Sequence, residues 1–365
     1  MKRRTFLQAS LAACLGAPAL AALRPERLDE AAAALTQATA SGQVSAAVLH
    51  VRQRDFVFTR AFGQARDENA MFLLGSISKP IVVTAIMTLY DRGAFQLDDP
   101  LKKFLPQFTG GDRDRVTMRH LLTHTSGLPD QLPENNELRK QHVSLVEFAD
   151  HALRAPLDFA PGSKYQYSSM AILLASRAAE LLSGTDILQL VNHAVLPKLE
   201  MEHSALGLGL FRQEDMVPMQ VDRAAPEAGG GDPSAKDWDW NSTYWRKLGA
   251  PWGGAHCSAS DVGRFLAEFL HPTGAVLLPE TAGLMVQNHN PPGVTPRGLG
   301  LNVGLAAGSP GCSEKTFGHT GSTGTIAWAD PATDTVCVVL TSLPARAVQP
   351  HPRDLAANAI AAAAQ

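Results

Sequence analysis

The chain has 365 residues, 45% of them hydrophobic and 18% charged, a composition that supports a large packed core in one big domain or two lobes. Its 32 Lys and Arg nearly balance 35 Asp and Glu, and no basic arm or stripe stands out, so nucleic acid is not an expected partner. Outside the first 21 residues only Cys257, Cys312 and Cys337 occur, without a C-x-x-C, which argues against a disulfide scaffold or a zinc ribbon; a bridge between Cys312 and Cys337 stays open.

In chain order, residues 1–21 read as an export signal. Lys2-Arg3-Arg4 is a basic start, Phe6 to Leu15 a short apolar stretch, and Ala19-Leu20-Ala21 a small-x-small cleavage site. Arg3-Arg4-Thr5-Phe6-Leu7 resembles a twin-arginine leader, so a periplasmic or secreted location is expected. Leu11-Ala12-Ala13-Cys14 also resembles a lipoprotein box, and a membrane enters only if Cys14 is lipidated. Arg27 to Thr39 carries a helical pattern. Val44 to Val51 and Phe56 to Phe62 read as a hairpin. The middle is helical, with segments at 77–92, 117–123, 145–154, 168–183, 186–196 and 259–270. Strands return at Gly298 to Leu305, Lys315 to Gly318, Thr325 to Ala329 and Thr335 to Ser342, and a helix from Asp354 to Ala364 follows.

Strands at both ends around a helical middle predict an α+β fold, an α/β sandwich whose antiparallel sheet is built by both chain ends and flanked by helices. The predicted division is one domain over 22–345, with a sheet lobe (25–75 and 296–365) and a large inserted helical lobe (76–295), and a C-terminal helix within 346–365 packing on the sheet. The stretch Arg212 to Pro251, with Trp238, Trp240, Tyr244 and Trp245 and followed by Trp252, is long for a loop. It reads either as an aromatic wall or lid over a cleft or as a self-packed surface loop.

The chemistry starts at Ser76-Ile77-Ser78-Lys79, the one S-x-x-K in the chain, which follows Gly75 and opens an apolar helical run. Positions i and i+3 share a helix face, so the Lys79 amine can reach the Ser76 hydroxyl. A desolvated lysine can take the proton that keeps serine a poor nucleophile, and a helix start suits developing negative charge. Tyr167 stands at the entry of the 168–183 helix. Phe317-Gly318-His319-Thr320-Gly321-Ser322-Thr323-Gly324 reads as a strand end beside a glycine turn that lets backbone come close to a substrate.

Taken in order, S-x-x-K, then Tyr167-Ser168-Ser169, then His319-Thr320-Gly321, the chain resembles the penicillin-recognising serine hydrolases, most of all the branch of class C β-lactamases, family VIII esterases and DD-peptidases. Leu97-Asp98-Asp99-Pro100, Leu121-Leu122-Thr123-His124-Thr125-Ser126-Gly127-Leu128 and Gly253-Gly254-Ala255-His256-Cys257-Ser258 agree with this. The resemblance implies a β-lactamase/transpeptidase-like fold and an acyl-enzyme on Ser76. It makes Lys79 the proton shuttle and Tyr167 the base toward leaving group and water. The backbone N–H groups of Ser76 and Ser322 would form the oxyanion hole, with His319, Thr320, Gly321 and Ser169 binding substrate. Two departures matter: His319 stands where the family carries lysine, and Ser169 where it carries asparagine. Both favour a small carboxylic ester over a β-lactam and leave a D-Ala-D-Ala peptide open; a non-catalytic relative that binds a cell-wall or lipid ligand also stays open. No cofactor is expected. His120 and His124 have zinc-ligand spacing, but the glutamate of H-E-x-x-H is missing and no third ligand is evident, so no metal is expected.

Overall fold

A computed structural model describes residues 23–364, so the expected leader, with Cys14, lies outside the described residues. The principal sheet has six antiparallel strands. β1 (Ala46–Gln53) and β2 (Phe56–Gly63) come from the N-terminal part. From the C-terminal part come β6 (Asn302–Val303), β7 (Phe317–Gly321), β8 (Thr325–Asp330) and β9 (Thr335–Thr341). Their order is β2-β1-β9-β8-β7-β6, so both ends of the chain meet at the β1–β9 pair. A second sheet, unanticipated because its strands are only two or three residues long, has the order β3-β5-β4, from β3 (Phe72–Leu73), β4 (Ser204–Leu206) and β5 (Ala255–Cys257).

Strand alternation explains the layers. Leu49, Val51, Trp328, Cys337 and Val339 point to one face, where the helices Pro25–Ala40 and Pro352–Ala363 cover them with Leu28, Leu35, Ala357 and Ile360. Val48, Ala327, Val336, Val338 and Leu340 point to the other, into the larger core. Both faces are therefore apolar, and the strands read as near-continuous hydrophobic runs. The helix Ala259–Leu270, from within the stretch assigned to the helical lobe, packs on this second face against β1, β8 and β9. The helix Ser78–Asp91 is buried from Ser78 to Leu89, on every face, as a core helix is. No described helix is long and apolar enough to cross a membrane. Cys257, Cys312 and Cys337 are free and buried, so the 312–337 bridge is not formed.

Two strand assignments change. The expected strand 298–305 shrinks to β6 because Gly300 and Gly304 take positive φ, +75° and +81°, which break the pleat on either side. Conversely β7 runs on to Gly321, since its ladder with β8 continues to the Gly321–Thr325 pair, and His319-Thr320-Gly321 sits inside the strand. The glycine there serves the protein's own backbone: a Cβ on Gly321 would stand 2.1 Å from the Leu74 carbonyl oxygen and 2.2 Å from Thr325 Oγ1. That close approach docks β7 against the segment leading into Ser76. Gly321→Ala is therefore expected to cost on the order of 2 kcal/mol or more in urea unfolding, with reduced activity in the fraction that folds.

Candidate active site

Three segments bring the site together. Leu74 donates its N–H to Ala255 O (2.8 Å) and Ser78 Oγ accepts the Ala255 N–H (2.9 Å), which ties the nucleophile loop to β5. Gly75, at φ +57°, turns the chain into a single 3₁₀ turn, Gly75–Ile77, that runs straight into the helix Ser78–Asp91. A Cβ on Gly75 would meet Thr323 Oγ1 at 2.8 Å and the Ser322 N at 3.3 Å, so only glycine lets β7's far end come alongside. Ser168 caps the helix Ser169–Ser183: its Oγ accepts the Ala171 N–H (2.9 Å) and donates to Pro129 O (2.8 Å). That cap fixes Tyr167 on one side of it and Ser169 on the other.

The alcohol, the amine and the phenol converge. Lys79 Nζ lies 3.1 Å from Ser76 Oγ and donates to Trp252 O at 2.8 Å. It also lies 4.6 Å from the centre of the Tyr167 ring. The same ring lies tilted against His124, with centres 4.6 Å apart, and against His319 at 6.0 Å. The Tyr167 hydroxyl is buried beside Ser76 without a fully formed hydrogen bond. Ser76, Tyr167, His319, Thr320 and Ser322 line one cavity of about 310 Å³, with Tyr165, Arg297 and Asn302. Ser76, Tyr167, Ser169 and Ser322 also line a second, more enclosed cavity of about 160 Å³, walled by Trp240, Trp245 and Trp252. Gly321 lines neither and acts through Leu74. A larger cavity of about 890 Å³, beside Met71 and Phe211, shares no lining residue with these two.

Electrostatics assigns the protons. Burial draws the Lys79 amine down to about 7; Asp130 pulls it back up and Arg297 pushes it further down. Burial pushes the Tyr167 phenol well above its ordinary value, although Arg297 and Ser76 oppose that. At neutral pH the tyrosine keeps its proton while the amine is substantially neutral. Lys79 is thus the group able to accept the Ser76 proton, while the Tyr167 phenol keeps its own. Burial, then Arg297 and Lys79, hold both His124 and His319 well below the usual imidazole range. The His319 Nδ1 lies 2.7 Å from Thr320 O, so it carries the hydrogen and leaves Nε2 to accept from Arg297.

Two residues of the site escaped the sequence reading. Arg297 is buried to 1% exposure, with Nη2 2.8 Å from His319 Nε2 and 3.1 Å from His124 Nε2. It has no carboxylate partner among the described residues. Asp130 follows the quoted Leu121–Leu128 segment by two positions, and its Oδ1 accepts both the N–H (2.9 Å) and the Oγ–H (2.7 Å) of Ser169. Both donors of Ser169 therefore go to Asp130. The histidine pair of zinc-like spacing separates in role: His120 Nδ1 accepts the Thr117 N–H at 3.2 Å, and His124 packs on Tyr167. The Trp-bearing stretch is folded, with short 3₁₀ turns and a helix Thr243–Leu248. Trp238, Trp240, Trp245 and Trp252 are all buried. It is both self-packed and the wall of the cleft.

A family profile named β-lactamase matches residues 31–362. A 208-residue stretch is 34% identical to esterase EstB of Burkholderia gladioli, covering 53% of this chain and 51% of the esterase. Another, of 142 residues, is 31% identical to a β-lactamase of Pseudomonas fluorescens, over 39% of this chain and 38% of that one. The matches thus span about half or less of these curated relatives. Among solved structures, EstCE1, a hydrolase with promiscuous acyltransferase activity, superposes with a TM-score of 0.75 at 23% identity, over 92% of this chain and 99% of that one. A penicillin-binding protein homologue from Caulobacter crescentus does so with a TM-score of 0.74 at 18% identity, over 95% and 100%. At these identities the likeness is one of fold.

Because the neutral form of Lys79 is the reactive one, the rate at which a fluorophosphonate labels Ser76 is expected to rise with pH, pass half-maximum near pH 7 and level off above. Inactivation rates measured across about pH 5 to 9 check this; a rate that falls over that span contradicts the assignment.

Proposed function

The chain belongs to the β-lactamase family, a serine hydrolase family that includes esterases and DD-peptidases, and from that premise we propose an enzyme that cleaves small carboxylic esters through an acyl-enzyme on Ser76. The observation that carries the reading is the Ser76–Lys79 pair, 3.1 Å apart, with the amine drawn down to about 7. In acylation, Ser76 Oγ attacks the ester carbonyl carbon while its proton passes to Lys79. The N–H groups of Ser76 and Ser322 receive the carbonyl oxygen as it becomes an oxyanion, a contribution of about 3 kcal/mol for such a donor. Collapse breaks the bond to the alcohol oxygen, which takes the proton from Lys79, with the Tyr167 hydroxyl as the relay beside Ser76. Water then attacks the acyl carbon, gives its proton to the same amine, and the acid leaves as the Ser76 hydroxyl is restored.

A second reading, cleavage of D-amino peptides, draws on Arg297. An unpaired guanidinium beside Thr320 and His319 provides the fixed positive charge that a neutral His319 lacks, and a substrate carboxylate is a fitting counter-ion. Neither reading needs a cofactor, and the partner in both is a small-molecule acyl substrate. Export through a leader in residues 1–21 is part of the same proposal, since extracytoplasmic esters and peptides would then be in reach.

Ser76→Ala is expected to lower p-nitrophenyl butyrate hydrolysis by at least about a thousandfold with little change in Tm. Peptide mapping is expected to place a fluorophosphonate on Ser76 of the wild-type protein. Running nitrocefin and a D-Ala-D-Ala peptide beside the butyrate separates the substrate classes; hydrolysis that survives in Ser76→Ala points to another nucleophile.

A further inference from the structure

Asp130 carries a charge that ester cleavage by itself leaves unused. Its Oδ1 takes both donors of Ser169, while Oδ2 has no partner, and neither lysine nor arginine pairs with it among the described residues. It lines the same 160 Å³ cavity as Ser76 and its field reaches Lys79 and Tyr167. The two cavities that meet at Ser76 divide the substrate between them. A leaving group must collect a proton and depart, and water must then enter, which suits the more open cavity beside Tyr165, Tyr167 and Arg297. The enclosed one suits the part that stays attached.

A carboxylate oxygen can only accept hydrogen bonds. A plain alkanoyl chain pressed against Asp130 would displace its water and return nothing, whereas an ammonium would replace it with a charge-assisted bond. Arg139 reaches the same cavity, but its guanidinium is committed to Glu227 O (2.7 Å) and Trp238 O (3.1 Å) and lies 3.9 Å over the Trp245 ring. The exposed Glu227 side chain adds a second acid to the lining.

We propose that Asp130 selects acyl groups bearing a protonated amine next to the carbonyl, so that the preferred substrates are aminoacyl esters or amides with a free amino group. This rests on Ser76 being the acylated nucleophile. The test compares each enantiomer of alanine benzyl ester with isobutyric acid benzyl ester, in which a methyl group replaces the ammonium, on the full chain at about pH 7, where an α-amine is largely protonated. One alanine ester is expected to exceed the isobutyrate in kcat/KM by at least about tenfold. Asp130→Asn is expected to lower that ratio at least about tenfold, and Asp130→Glu to restore most of it. The influence of Asp130 on Lys79 in the free enzyme is common to both esters, so the ratio reports what the ammonium adds at Asp130. Fluorophosphonate labelling of Ser76 in each variant reports an intact site. Labelled enzyme with no alanyl preference, or a preference that Asp130→Asn leaves unchanged, overturns the role of Asp130 while the serine hydrolase stands. Failure of the wild-type protein to label or to cleave any of the esters overturns both.

Discussion

The amine of Lys79 sits where water does not reach, and the rest of the site is arranged around that fact. Holding a lysine whose proton affinity has fallen to about 7 costs the fold on the order of 4 kcal/mol at neutral pH, because the unfolded chain would keep the proton. The cost shrinks as pH climbs toward the ordinary lysine value, where the unfolded chain also releases it. Among the described residues, the hydrogen-bond partners of the amine are Trp252 O and Ser76 Oγ. The acid whose charge acts on it, Asp130, turns its Oδ1 to Ser169. The Trp240–Trp252 stretch and the Tyr167 ring, by excluding water, therefore perform an electrostatic task as well as a packing one.

Arg297 gives the same constraint a second expression. A permanently charged guanidinium lies 5.7 Å from the Tyr167 ring centre and pushes the lysine, His124 and His319 toward their neutral forms. This supplies a physical reason for histidine at 319. A lysine there would set a third cation beside Arg297 and Lys79, and among the described residues no carboxylate pairs with Arg297 to offset it. A neutral imidazole with its hydrogen held on Thr320 O can instead accept from Arg297 and keep that side chain in place. The cation that the motif lacks is thus present, but it comes from a different segment.

Much of this was legible in the sequence because the signals are local. Ser76 and Lys79 are three residues apart on one helix face. The hairpin and the sheet-covering helices follow from their hydrophobic periods, and the strands β8 and β9 from apolar runs bounded by turns. Arg297 carried no such signal: it is one arginine in a glycine-rich bend, 22 positions before His319, and only the Gly298–Leu301 turn brings it beneath the strand. Asp130 was equally silent, since its pairing with Ser169 spans 39 positions. The extent of β7 was misjudged because glycines 318, 321 and 324 read as a turn. In three dimensions Gly321 instead marks where another stretch of backbone lies too close for a side chain.

Charge on the substrate and charge on the base are coupled in this arrangement. Asp130 raises the proton affinity of Lys79 and Arg297 lowers it, each lining a different one of the two cavities that share Ser76. An ammonium seated on Asp130 would cancel the influence that favours a protonated lysine, so its arrival would drive Lys79 further toward the neutral form that accepts the serine proton. A carboxylate seated on Arg297 would do the reverse and hold the proton on the amine, the state required of a group about to protonate a leaving atom. The acyl side of the site therefore favours the base and the leaving side favours the acid, and a substrate carrying both charges would engage both influences while a neutral ester engages neither.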